Sequence, residues 1–171
     1  NGDMTFTKEI AQQYFGGLQN QFQFKGFNLD FLFQFVKQTG RNFAYTFGMP
    51  GFKYFNQPTE VLKRWMKPGD ETDIQRYSRS VLTPAYSAYS YMQASDYTIG
   101  DASFVRLKNV SVSYQIPQHW AKKARLQSGR IYIIGQNLLT FSDYTGLDPE
   151  QSFVNRLPPL RVITAGIQIT F

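Results

Sequence analysis

The stretch Leu18-Gln19-Asn20-Gln21-Phe22-Gln23-Phe24, the break Lys25-Gly26, and the run Phe27-Asn28-Leu29-Asp30-Phe31-Leu32-Phe33-Gln34-Phe35-Val36 decide the fold by their alternation. In the first run Gln19, Gln21 and Gln23 share one side, while Leu18, Phe22 and Phe24 share the other. In the second, Phe27, Leu29, Phe31, Phe33 and Phe35 oppose Asn28, Asp30, Leu32, Gln34 and Val36. Side chains of a strand alternate between faces, so both runs read as strands with one apolar face. A two-residue break containing Gly reads as the turn of a hairpin. A soluble sandwich core and a lipid-facing barrel wall both accommodate such a face.

Composition narrows the classes. The 171 residues include 16 Phe and 11 Tyr, with aromatics at 17% and charged residues at 18%, yet the mean hydropathy is −0.37. No stretch of about 18 apolar residues exists, which excludes a helical membrane protein. A helical bundle would be richer in Ala, Leu, Glu and Lys, and the aromatics exclude wholesale disorder. A β-rich chain remains, either a soluble sandwich or part of a membrane barrel. The absence of Cys removes disulfides, thiolate metal sites and Cys nucleophiles, and the single His removes most zinc sites. The net charge of +6 permits an anionic partner, but no basic arm is present, and nucleic-acid binding has only the high isoelectric point behind it. The opening Asn1-Gly2-Asp3, without an initiator Met or leader, reads as a processed or partial chain.

Residues 38–100 read as a long connection, punctuated by Gly40, Gly48, Pro50, Gly51, Pro58, Pro68, Gly69 and Pro84. A short helix is expected over Thr59 to Met66, after Pro58. The Tyr-Ser run from Tyr86 to Tyr91 shows no clear period. About sixty residues of such sequence exceed the loops of compact domains, and long loops at one end with tight turns at the other mark outer-membrane barrels. Residues 103–116 form a third strand, in which Val110, Val112, Tyr114 and Ile116 fall out of phase with Val105 and Leu107. A bulge near Lys108-Asn109 reconciles the two sets. Gln118 to Arg125 make one or two helical turns after Pro117, residues 130–141 form a fourth strand whose facing stays open, and residues 142–160 form a second loop. In the last strand Ile163, Ala165, Ile167, Ile169 and Phe171 alternate with Val162, Thr164, Gly166, Gln168 and Thr170. A closing barrel strand with a terminal aromatic fits this pattern; so does a soluble edge strand.

These residues resemble a known family. Phe104-Val105-Arg106-Leu107-Lys108-Asn109-Val110-Ser111-Val112-Ser113-Tyr114 with Pro117, and Gly135-Gln136-Asn137-Leu138-Leu139-Thr140-Phe141 followed by Tyr144-Thr145-Gly146-Leu147-Asp148-Pro149-Glu150, are similar to segments of SusC/RagA TonB-linked outer-membrane proteins. So are Tyr14-Phe15-Gly16-Gly17-Leu18 with Phe24 to Phe27, and Leu62-Lys63-Arg64-Trp65-Met66-Lys67-Pro68-Gly69-Asp70. The opening Asn1-Gly2-Asp3-Met4 departs from the family's acidic turn, and no calcium site is carried over.

The resemblance implies an all-β fold, in which residues 1–171 supply about five C-terminal strands of a large transmembrane barrel of about 22 strands, with long extracellular loops. The plug and earlier strands are then absent from this chain. It also implies a transporter in the bacterial outer membrane that takes up glycans or peptides. Its partners would be the remaining strands and plug, a SusD-like surface lipoprotein, TonB acting through the absent N-terminal part, and membrane lipid; no cofactor, nucleic acid or metal is implied. The expected facing puts Phe22, Phe24, Phe27, Tyr114 and Phe171 at the lower rim.

Substrate or lid-contact candidates in the loops are Tyr54, Trp65, Tyr86, Tyr89 and Tyr91, because aromatic faces stack on sugars and fill peptide pockets. Packing the loops together is the alternative role for each. Ile163, Ile167, Ile169 and Phe171 form the candidate barrel-assembly signal. A soluble carbohydrate- or protein-binding sandwich is the second reading of the chain. Enzymatic chemistry has little support: His119 is the single imidazole, Ser111 and Ser113 have no acid–base partner placed by sequence, and Asp96 and Asp101 suit strand starts and loops. Removing Phe171 from the full receptor should slow insertion into the outer membrane; an unchanged yield of heat-modifiable, folded barrel would discard the assembly signal.

Overall fold

A computed structural model describes residues 8–42, 48–52, 56–151 and 156–171. Five long strands, β1 (Gln12–Phe24), β2 (Phe27–Arg41), β4 (Phe104–Gln115), β5 (Ser128–Phe141) and β6 (Val162–Thr170), pair antiparallel in the order β1-β2-β4-β5-β6, and the short β3 (Ile99–Asp101) pairs with the end of β2. Among the described residues there are also two α-helices, α1 (Pro84–Ala94) and α2 (Gln118–Lys123), and short 3₁₀ turns. The chain divides into a sheet unit (Gln12–Gln38, Ser103–Asp143, Leu157–Phe171) and a loop unit (Asn1–Ala11, Thr39–Ala102, Tyr144–Arg156).

Register converts the alternation of each strand into rows across the sheet. Phe24, Phe27, Tyr114, Ile131 and Ile167 lie side by side on one face; the next row on that face is Phe22, Leu29, Val112, Ile133 and Ala165. The rows between them face the other way: Gln23, Asn28, Ser113, Tyr132 and Gly166, then Gln21, Asp30, Ser111, Ile134 and Thr164. Pairing thus decides the facing of β5, which its own sequence leaves open. Ile131 and Ile133 join the apolar face, and Arg130, Tyr132 and Ile134 the opposite one.

The bulge falls where the phase of β4 requires it. Leu32 pairs with Asn109 but Phe33 pairs with Leu107, so Lys108 is the inserted residue. Val105 and Leu107 return to the apolar face, opposite Phe35 and Phe33. On the β5 side the irregularity is absorbed at Asn137, whose φ of 53° lies in the left-handed region that Asn tolerates better than most residues.

The burial pattern is the reverse of a soluble sandwich. On the apolar face Phe22, Phe24, Phe27, Ile133, Ile163 and Ile167 are all more than half exposed, and among the described residues no second sheet covers them. Water-soluble proteins rarely leave so contiguous an apolar surface bare. On the polar face, by contrast, Arg106 is 0% exposed and Ser113 is 2% exposed. Aromatic rows bound the apolar band. The Phe27 and Tyr114 rings lie 4.5 Å apart, tilted at 40°, near the turn end, and Phe35 and Phe141 share the row of Val105 eight residues further along β2. Eight steps of about 3.3 Å give about 26 Å of strand, which at a tilt of about 40° rises about 20 Å, within the roughly 25 Å apolar band of an outer-membrane barrel.

The helical content differs from expectation. The anticipated helix at Thr59–Met66 is a short 3₁₀ segment, Thr59–Lys63, and the Tyr-Ser run forms α1. Thr83 caps α1, its side chain accepting from the Tyr86 N–H, and Pro84 occupies the first turn. Ala85, Tyr89 and Met92, spaced as one helical face, turn inward; the interleaved serines obscure that spacing.

Neighbouring isoleucines of β5 should respond oppositely to charge. In the full receptor Ile133→Arg should cost about 2–4 kcal/mol if it meets mid-bilayer lipid, depleting folded protein in the outer membrane, whereas Ile134→Arg should assemble. Equal folded yields of the two would refute the facing.

Candidate functional site

The loop unit is built around α1. Met49, Ala85 and Tyr89 form its buried cluster, with Phe52, Tyr86 and Met92 packed against it. The Phe52 and Tyr86 rings lie 5.2 Å apart. The Tyr89 hydroxyl accepts from the Gln93 amide, and burial, with the neighbouring Tyr86 second, pushes its pKa up to about 12. Gln57 clamps the preceding turn: its amide NH₂ donates to the carbonyls of Gly48 and Met49, at 3.1 and 3.0 Å, and its oxygen accepts from the Gly51 N–H at 3.0 Å. Gly51 has φ 75°, and the Tyr77 ring occupies the space a Cβ would need.

Trp65 stands beside a tight turn. Pro68 and Gly69, the latter at φ 95°, occupy its centre, the Asp70 N–H donates to the Lys67 carbonyl, and the Asp70 carboxylate accepts from the N–H groups of Met66 and Lys67 at 2.9 Å. The Trp65 N–H donates to the Ile74 carbonyl. The second loop joins the same unit through Tyr144, whose hydroxyl donates to the Arg41 carbonyl at 2.6 Å. Burial, and then the Asp148 carboxylate, raise the Tyr144 pKa. Asp148 in turn accepts from the Glu150 N–H across Pro149.

The aromatic candidates are dispersed. Tyr54 lies outside the described residues. Trp65 is half-buried and, with Asp73, Gln75, Tyr89 and Met92, lines a depression of about 170 Å³. Tyr86 is half-buried against Phe52, Tyr89 is 6% exposed and Tyr91 is 77% exposed. Trp65 and Tyr89 therefore meet at one surface, Tyr86 packs inside, and Tyr91 is left outward. A larger cleft of about 340 Å³, lined by Gly51, Gln57, Val61, Leu62, Arg64 and Tyr77, escaped the sequence reading; Arg64 next to the exposed Leu62 was its available signal.

The polar face is richer in charge than the alternation suggested. Arg106 shares a row with Gln34 and Thr140. Its Nε donates to the Thr140 hydroxyl at 2.9 Å, and its guanidinium lies 5.0 Å from the Phe104 ring centre. Gln19 donates to Asp30 at 3.3 Å. Ser113 is buried beside Asn28 and Tyr132, whereas His119 is exposed, edge-on to Trp120. Among the described residues no three His, Cys, Asp or Glu side chains converge as metal ligands.

No protein-family model matches the chain. It is 29% identical over 170 residues to TonB-dependent receptor P3 of Formosa agariphila, covering 91% of this chain and 16% of that protein. It is 27% identical over 175 residues to TonB-dependent receptor SusC of Bacteroides thetaiotaomicron, covering 100% of this chain and 16% of that one. The RagAB peptide importer in its closed-closed state superposes with a TM-score of 0.73 at 26% identity, over 97% of this chain and 18% of the importer chain. This chain is a segment of the SusC/RagA type of TonB-dependent receptor.

The SusC/RagA-type segment spans about a sixth of the length of these relatives. It belongs to the bacterial outer membrane, and its antiparallel strands match part of a TonB-dependent receptor barrel. The residues that carry the resemblance have visible structural work. Gly16 lies under the Phe35 ring, Asn137 absorbs the bulge, Trp65 to Asp70 build the tight turn, and Tyr144 and Asp148 hold the second loop.

Tyr89 supplies a pH test of the loop unit. Folding raises its pKa, so the stability it contributes is complete below pH 10 and is lost as the pH rises to about 12. Tyrosinate absorbance of the full receptor minus that of Tyr89→Phe should show one late titration near pH 12, with protease sensitivity of the loops rising over the same interval. A difference titration centred at pH 10 would show that Tyr89 is not buried.

Proposed function

We propose that residues 1–171 form the C-terminal barrel part of a TonB-dependent importer that takes up glycans or peptides with a SusD-like surface lipoprotein over its mouth. The uncovered apolar face backed by a charged polar face supports this reading most directly, because it suits lipid outside and an aqueous lumen inside. The remaining strands and the plug would complete the barrel, and TonB would supply work through the part that precedes this segment.

The loop unit is the part that meets cargo or lid. Trp65 offers an aromatic wall beside Asp73 and Gln75, and Tyr91 an exposed ring. A Trp or Tyr wall flanked by carboxylate and amide groups suits both sugar rings and peptide side chains. Tyr86 and Tyr89 act indirectly, by holding α1. Ile163, Ile167, Ile169 and Phe171 present the assembly signal along the apolar face, where they are 47–84% exposed.

Trp65→Ala and Tyr91→Ala, each in the full receptor expressed with its lipoprotein, test the assignment. Each should weaken binding and uptake of the cognate oligosaccharide or oligopeptide about fivefold, as expected for about 1 kcal/mol of aromatic contact. Folded receptors with unaltered uptake for both substitutions would count against a loop-unit cargo site.

A further inference from the structure

The turn end of the sheet carries a chemistry that cargo handling does not use. Lys25-Gly26 joins β1 to β2, and residues 116–127 join β4 to β5; the Gln115 N–H donates to the Gly26 carbonyl at 2.8 Å, so the two connections adjoin. They contain Lys25, Lys122, Lys123 and Arg125 and no Asp or Glu. The acids of the whole sheet unit are Asp30, on the polar face, and Asp143, at the opposite strand ends. Arg125, at φ 59°, closes the turn after α2, its N–H donating to the Lys122 carbonyl. Lys122 and Lys123 are exposed, and Trp120 between them and Pro117 is 57% exposed.

The surroundings define the ligand. The Lys25 ammonium lies 5.2 Å from the centre of the Phe24 ring, in the aromatic row that bounds the apolar band. A recess of about 460 Å³ opens between the connections, lined by Lys25, Gln115, Gln118, Gln127 and Ser128. A lysine ammonium with amide and hydroxyl donors suits a phosphate. An exposed Trp next to cations, on the connection that leaves β4 just beyond Tyr114 of the bounding aromatic row, suits the interface between acyl chains and headgroups. A turn facing only water needs neither the Trp nor the exclusion of acids.

We propose that this patch binds the headgroup of an anionic phospholipid of the inner leaflet, with Lys25 at the phosphate in the recess, Lys122, Lys123 and Arg125 around it, and Trp120 in the interface. This rests on the outer-membrane barrel reading, which puts the short turns on the periplasmic side.

Native mass spectrometry of the delipidated full receptor tests it, with phosphatidylglycerol, phosphatidylcholine and inorganic phosphate as probes. Phosphatidylglycerol should be retained in preference to phosphatidylcholine. Lys122→Gln/Lys123→Gln should weaken that retention about fivefold per cation removed, adding Lys25→Gln should weaken it further, and the outer-loop control Lys63→Gln/Lys67→Gln should leave it unchanged. Equal retention of the two lipids, retention unaffected by the substitutions, or displacement by inorganic phosphate at equal concentration would overturn the proposal. Heat-modifiable mobility is read in parallel: a receptor that never folds as a barrel contradicts the barrel reading, whereas a folded barrel without lipid preference contradicts this inference alone.

Discussion

Backbone hydrogen bonding in hydrocarbon is the constraint from which the rest follows. Inside a bilayer no water is available for an unpaired N–H or C=O, so strands that cross it pair along their length with neighbours on both sides. The pairing β1-β2-β4-β5-β6 is an up-and-down meander in which each long strand hydrogen-bonds the next long strand in sequence. Such ladders preserve side-chain parity from strand to strand, and one apolar face results from five separately alternating sequences. The bulge at Lys108 is the necessary exception. Without it Val105 and Leu107 would turn from lipid to the polar side, because a one-residue slip exchanges the faces of everything beyond it.

The interior of the sheet unit is correspondingly unusual. Its buried side chains include an arginine and a serine as well as Val36 and Phe104, while most large hydrophobics of its apolar face are exposed. Arg106 is sustained there by a hydroxyl partner on β5 and an aromatic ring two residues earlier on its own strand. Glycines lie where neighbouring rings cross the sheet, Phe35 over Gly16 on the apolar face and Tyr132 over Gly166 on the polar one. In both pairs a large ring covers backbone that the missing Cβ leaves open, which keeps the strand packed without a side chain of its own.

The loop unit follows the ordinary rules of water-soluble structure. It has a capped helix, a small apolar cluster, and turns closed by carboxylates and amides. A loop of such length contains structure because its polar groups find partners within it. The cost is that tyrosines which look alike in sequence have unequal roles: Tyr89 is committed to the cluster, and Tyr91, two residues on, is left at the surface.

The amino-acid sequence by itself determined the five long strands but not β3, and it determined the two faces of β2, the bulge and the family resemblance, because period-two alternation and tight turns are local properties of the chain. It did not determine the facing of β5, where Ile131, Ile133 and Ile134 are apolar on both parities and only pairing with Tyr114, Val112 and Ser111 distinguishes them. It concealed α1, whose inward face of Ala85, Tyr89 and Met92 is broken by serines and becomes visible only against Met49 and Phe52. Nor did it separate the aromatic candidates, since whether a ring is buried or presented depends on which distant segment packs on it. Tertiary structure decided those points for one physical reason: burial and pairing are relations between segments, and no single segment contains them.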